Sequence, residues 1–330
     1  MPVNMMMGKQ TVRGTAVTPT YSVPILNDVI PTEKAEPITS KRRNQNNLTN
    51  IPQKGSINVE FPTEHELDPI SCLPLFASMF PKYSFSGPGA VKTHTFKPAD
   101  DSTEYASIHT SGWTEEFYNA ITGNSYTVLG ASAKSLNIAM PKNSVIPLSL
   151  AWMARSVTEG ASGETFTAPD GALLFNNYEA SLSAGSIGSE VAIPIYDLTI
   201  KADMALEYKH VRGAGASRYS AKVKLALNGL SISGTFKMSR EDSERAAVKS
   251  AHDNFTEQSL IITYTSPENI PGSATPYSVS FAFQEVVYTL LERAEENNED
   301  METYTYAVGF GNDSDNVIIT VVNGEADMGL

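Results

Sequence analysis

The chain has 330 residues, 41% of them hydrophobic, with 37 acidic side chains against 24 Lys and Arg, a net charge of -13 and one cysteine. That length accommodates about two domains of roughly 150 residues, and the ordinary apolar content marks a folded chain. The acidity argues against lasting attachment to nucleic acid, whose affinity comes from cations that neutralise phosphates; the single Cys72 excludes an internal disulfide framework and a cysteine-built zinc cluster; and no apolar run approaches the roughly 20 residues that span a bilayer.

The first residues, "MPVNMMMGKQTVRG", lack the charged start and apolar run of a secretory leader, so the chain is expected to be cytosolic when made and not to bind membrane. Alternating or β-branched runs then predict strands at "YSVPILN" and "GSINVEF". A helix is expected over about Glu64 to Met79, although Pro69 and Pro74 suit a helix start and not an interior. Strands follow at "AVKTHTF", "EYASIHT", "SYTVLGASAKSLNIAM" and "VIPLSLAWMARSV". The Gly-, Ser- and Ala-rich stretch from Ser156 to Ala192 reads as a linker. Beyond it come "YDLTIKADMALEY", "YSAKVKLALNGLSISGTF", a second helix over Arg240 to Asp253 with Ser239 as N-cap, then "QSLIITYT", "YSVSFAFQEVVYTLLER", "ETYTYAVGF" and "NVIITVV". The fold class is mainly β.

Two stretches repeat a pattern. "SINVEFPTEHELDPISCLPLFASMF" (Ser56 to Phe80) and "SISGTFKMSREDSERAAVKSAHDNF" (Ser231 to Phe255) each run strand, polar residues, helix, and Phe61 and Phe236 lie 175 residues apart. The same offset pairs Tyr21 with Tyr196 and Ile25 with Ile200 without a gap. An internal duplication follows, with residues 1–155 as a first unit carrying an N-terminal arm, 156–192 as linker and 193–330 as a second unit. Each unit is expected to be a strand-rich sheet closed on one side by a helix.

Charge is unevenly placed. From Gln284 to Leu330 eleven acids face Arg293 alone, whereas Lys41, Arg42 and Arg43 form the densest basic cluster. The acid-rich turn holding Glu295, Glu296, Glu299 and Asp300 reads either as a solvated hairpin tip or as a contact for that basic cluster in a neighbouring copy. "KRRNQNN" lacks the interleaved aromatics of a nucleic-acid contact and reads as a loop between strands.

No catalytic constellation appears. "EHELD" at Glu64 to Asp68 lacks the second histidine of a zinc helix, and His94 and His109 lack a third ligand. "GAGAS" at Gly213 to Ser217 lacks the context of a dinucleotide loop, and "GNDSDN" at Gly311 to Asn316 lacks the distal glutamate of a calcium loop. Trp113 and Trp152 read as core or interface anchors. No cofactor and no enzyme activity are expected.

The order of these elements resembles the tail tube proteins of long-tailed bacteriophages, of the duplicated type. The resemblance rests on "RGTAVTPTYSVPIL", on "GSINVEFPTEHELDPISCLPLF", on the strand pair "SYTVLGASAKSLNIAMPKNSVIPLSLAWMAR" and on "YDLTIKADMALEYKHVRGAGASRYSAKVKLALNGLSISGTF" opening the second copy. It implies two tandem β-sandwich or barrel units, each flanked by a helix, whose sheet edges join between copies around a lumen. Three chains would then supply six similar units to each ring. The resemblance further implies a virion tail component made in the host cytoplasm and stacked into a conduit for double-stranded DNA. Its partners would be itself, a tape measure protein, and tail terminator and tail tip or baseplate proteins, with DNA only as passing cargo. A distal tail or baseplate hub ring is the alternative. The acidic "ERAEENNEDMET" and the proline-broken first helix depart from the family pattern.

Overall fold

The computed structural model describes residues 3–38, 53–99, 112–119, 125–140, 144–160, 174–194, 196–210, 221–296, 299–309 and 314–329. They form a mainly β structure. In chain order the strands are β1 (Val3–Gln10), β2 (Tyr21–Ile25), β3 (Thr32–Ile38), β4 (Gln53–Glu66), β5 (Lys82–Ser86), β6 (Lys92–Lys97), β7 (Gly112–Asn119), β8 (Ser125–Ala139), β9 (Pro147–Ala154), β10 (Ser156–Glu159), β11 (Ala180–Gly185), β12 (Val191–Ile193), β13 (Asp197–His210), β14 (Ala221–Ser239), β15 (Gln258–Asn269), β16 (Pro276–Glu296), β17 (Glu299–Val308) and β18 (Val317–Asn323). Helix α1 (Cys72–Met79) follows β4, and α2 (Arg245–Asp253) follows β14.

All pairings are antiparallel and trace three connected sheets. The first runs β2–β1–β7–β8–β10. The second runs β3–β4–β9–β8–β13–β14–β17–β16. The third runs β12–β11–β15–β16–β18–β6–β5. Strands β8 and β16 each serve two sheets, because each changes direction partway: β8 at Gly130, with φ of 66°, and β16 at Glu285, with φ of 54°. Bends of this kind let one long strand leave one layer and enter another.

The same pairings occur twice. Those joining β1–β2, β1–β7, β3–β4, β4–β9, β7–β8, β8–β9 and β8–β10 recur as β11–β12, β11–β15, β13–β14, β14–β17, β15–β16, β16–β17 and β16–β18. The hairpin β5–β6 has no counterpart and extends the third sheet beside β18. The stretch 156–192 carries β10 at its start and β11 at its end, with residues 161–173 outside those described.

The core sits between the second sheet and the other two. Along β4, Val59, Phe61, Thr63 and His65 are buried while Glu60, Pro62 and Glu64 face out, a period-two pattern. Phe61 stacks on Trp152 and meets Phe117 of the first sheet edge-on, with ring centroids 6.4 and 5.4 Å apart. Phe236 likewise meets Tyr304 and Tyr288, each at 5.4 Å. Trp113 and Trp152 are both core residues, as expected.

Both helices are shorter than their sequence suggests. Residues Glu64 to Glu66 continue β4, and α1 begins only at Cys72, where the Asp68 carboxylate accepts hydrogen bonds from the Ile70 and Ser71 amides and from the Ser71 hydroxyl. Pro74 then falls in the first turn, where a missing N–H removes no helical bond. Leu73, Phe76 and Phe80 are all buried, and Phe76 packs on Phe96 and Phe281. For α2, Ser239 ties the preceding turn by accepting from the Glu241 amide, so it caps no helix, and the helix starts five residues later than a Ser239 cap implies.

The repeat register also differs. The helices begin 173 residues apart, at Cys72 and Arg245, and the same offset places Gly234, not Phe236, opposite Phe61. A two-residue slip keeps every side chain on its own face, so alternation alone cannot detect it. Phe255, matched by sequence to the buried Phe80, is 66% exposed with φ of 51°.

Candidate assembly edges

The second sheet joins the two halves of the chain through one seam. There β8 pairs with β13, with Ala139 opposite Thr199, Leu136 opposite Ala202 and Ser135 opposite Asp203. Among the described residues the sheet is open at both ends, at β3, which pairs only with β4, and at the C-terminal half of β16, which pairs only with β17. In the recurring pattern β16 corresponds to β8 and β3 to β13. The two open edges are therefore the two halves of the seam, each without its counterpart in the same chain. Such edges invite another strand unless covered.

The acid-rich turn is the end of the β16–β17 hairpin. Glu295 lies opposite Asp300, and Glu296 opposite Glu299. Lys237 reaches Glu296 at 2.7 Å and Arg240 reaches Asp300 at 2.8 Å, so two of the four acids are paired within the chain. Lys41, Arg42 and Arg43 lie outside the described residues, as do His109 and Gly213 to Ser217.

At the hairpin base lies a cluster the sequence reading missed. The Glu302 side chain is fully buried and accepts hydrogen bonds from Arg245 Nε at 2.8 Å and Nη2 at 2.7 Å, from Arg293 Nε at 3.1 Å and from the Tyr304 hydroxyl at 2.8 Å. The Arg245 bonds outweigh burial and hold the carboxyl at about 2, below its usual 4.5. The available signal was phase, since Glu302 shares the core-facing alternation of Tyr304 and Tyr306.

Three other titratable groups, His65, His94 and Cys72, are buried in the chain's own core. His65 lies on β4, with Nδ1 2.7 Å from the Pro24 carbonyl and Nε2 2.8 Å from Thr63 Oγ1, and burial lowers its pKa to about 4. The first three residues of "EHELD" are thus strand, with Glu64 and Glu66 on the face opposite His65. His94 bonds Tyr83 and Asn323 at 2.9 and 3.0 Å. Cys72 is a buried free thiol whose pKa burial pushes well up. Among the described residues no three His, Cys, Asp or Glu come together to hold a metal ion, and no helix is long and apolar enough to cross a membrane.

Glu115 is different, because nothing answers it. It is fully buried between Met7 and Val128 of the adjacent strands, neither carboxylate oxygen has a hydrogen-bond partner, and burial pushes its pKa well up. A carboxyl with a raised folded pKa adds stability that is present below its unfolded value near 4.5 and is lost as pH rises toward the folded one. Glu115→Gln is therefore expected to raise Tm at pH 8 and to change it little at pH 4, as read by calorimetry. An equal shift at both pH values would contradict a protonated Glu115.

A search among curated proteins returns no match. A family model described as "Phage tail tube protein" matches residues 3–285, from β1 to the bend in β16, and so covers the first set of recurring pairings, the seam and the second set as far as that bend, with β17 and β18 beyond it. With its all-antiparallel sheets, paired half against half and open at two equivalent edges, the chain belongs to the phage tail tube protein family, a structural component of the virion tail.

Proposed function

We propose that this chain closes into rings of three copies, which stack into the tail tube. The observation that carries this reading is the equivalence of the open β3 and β16 edges to the β8–β13 seam. The β8–β13 contact joins the second sheet across the two units within a chain, and the same contact between chains closes a ring of six units, a heterologous interface that leaves neither end of the second sheet bare. The recurring pairings support an internal duplication with units at about 3–160 and 174–329.

The second sheet then lines the lumen, since its other face holds the core. Its open face carries mainly small polar side chains such as Ser149, Ser233, Thr235 and Thr305, with Glu60, Glu64, Asp197, Asp203, Glu292 and Glu296 against Lys34, Lys134, Lys201 and Lys237. A hydrated, mildly acidic wall of this kind lets double-stranded DNA pass without binding, because it offers phosphates no cluster of cations. The role is passive and needs no catalysis or cofactor. A tape measure protein would occupy the lumen during assembly, and terminator and tip or baseplate proteins would cover the tube ends.

Stacking would bring Lys41, Arg42 and Arg43 of one ring toward Glu295, Glu296, Glu299 and Asp300 of the next. Lys237 and Arg240 already engage Glu296 and Asp300, so Glu295 and Glu299 remain the main acids for that contact. Exposed pairs contribute only about 0–1 kcal/mol each, which sets register more than affinity.

Electron microscopy of the purified chain at high concentration tests the reading. Tubes with three chains per ring are expected. Six chains per ring would overturn the trimer, and single rings that never stack would indicate a hub.

A further inference from the structure

We propose that ring closure pairs β16 of one copy with β3 of the next in a single register: Ile30 opposite Ala294, Pro31 opposite Arg293, Thr32 opposite Glu292, Glu33 opposite Leu291 and Lys34 opposite Leu290. The proposal rests on the tube reading and adds the residues that make its contact.

The register comes from irregularities that both halves share. Strand β8 bulges at Lys134, between Ala133 and Ser135, and β16 bulges at Thr289, between Tyr288 and Leu290. The β3–β4 register breaks between Ala35 and Pro37 and the β13–β14 register between Met204 and Leu206, with the extra residues in β4 and β14, so Glu36 and Ala205 stand at corresponding breaks. Bulges fix the count of residues along a strand and so act as register marks. Laying Thr289 on Lys134 and Glu36 on Ala205 carries the seam pairs Thr199–Ala139 and Asp203–Ser135 onto Ile30–Ala294 and Lys34–Leu290.

Three independent features agree with this placement. Burial keeps its phase, since Val29 and Pro31 are buried as Leu198 and Ile200 are, and Tyr288 is buried as Ala133 is. Charges complement: Lys34 and Glu292 fall on one face of the joined sheet as diagonal neighbours, and Glu33 and Arg293 do the same on the other. Both edges also expose apolar side chains, Ile30 at 66% and Leu290 at 48%, which a neighbouring strand would cover.

Directly opposed residues stand about 4.5–5.5 Å apart at Cα, within the span of a disulfide, whereas diagonal neighbours at about 7–8 Å lie beyond it. A chain carrying Thr32→Cys and Glu292→Cys, assembled and oxidised, is expected to give a ladder of cross-linked chains on a non-reducing gel. The Lys34→Cys, Glu292→Cys chain, which reports a two-residue slip, is expected to give none. Native Cys72 is buried and does not compete.

The reverse result, or tubes in which neither pair cross-links, overturns the register and leaves the ring reading intact. Failure of the unmodified chain to form rings at all overturns the ring reading itself. Should the cysteine chains not assemble, hydrogen exchange of the unmodified chain decides. Protection gained on assembly at residues 30–34 and 290–294 supports the contact, and unchanged exchange there overturns it.

Discussion

Replacing Gly234 by alanine is expected to destabilise the chain by about 2–5 kcal/mol, the sum of overpacking and a broken buried hydrogen bond. Gly234 lies in the middle of the second sheet, between Ile200 of β13 and Tyr306 of β17. A methyl group there would overlap the Thr199 carbonyl oxygen and come within 2.5 Å of the Tyr306 hydroxyl. That hydroxyl donates to the same carbonyl at 2.9 Å, so the ring cannot withdraw without losing its bond. In the first half of the chain the equivalent place holds Phe61 stacked on Trp152, whereas in the second half the glycine makes room for a tyrosine that bonds across to the next strand. Denaturant melts of the unassembled chain would measure the loss, with Ser233→Ala as the half-buried neighbour expected to change little. A Gly234→Ala chain as stable as the parent would show that Tyr306 is not held there.

Glu302→Gln is expected to cost about 2–4 kcal/mol at pH 7. Breaking a buried ion pair costs about 3–5 kcal/mol when the partner stays buried, but Arg245 and Arg293 are partly exposed and regain water. The carboxyl titrates at about 2 in the folded chain, below its usual 4.5. Its contribution is therefore complete above about pH 4.5 and fades as pH falls toward 2. The difference in stability between parent and variant should shrink across that window, opposite in sign to the effect of Glu115, which weakens the fold as pH rises. A gap independent of pH would mean that hydrogen bonding alone, without charge, ties α2 to the hairpin.

Much of this was legible in the residues. Alternation along "SINVEF" and "ETYTYAV" marked strands and separated their two faces because a strand packed on one side must repeat every two residues. Pro69 and Pro74 warned that the first helix starts late. Glu302 was harder to see, because its core-facing phase reads as a flaw until Arg245, distant in sequence, is brought beside it. The open edges were invisible for a similar reason. Residues 30–34 and 290–294 look like ordinary strand, and only the strand pairing in three dimensions shows that each lacks a neighbour on one side among the described residues.

The sequence alone determined the mainly β class, the doubling of strand and helix, and the charge imbalance, all of which depend on residue type at short range. Tertiary structure decided the rest: the repeat offset, because a shift of two residues preserves every face; the bends in β8 and β16, because they follow from which sheets those strands must share; and the core-facing side of the second sheet, because alternation separates two faces without saying which one meets the core.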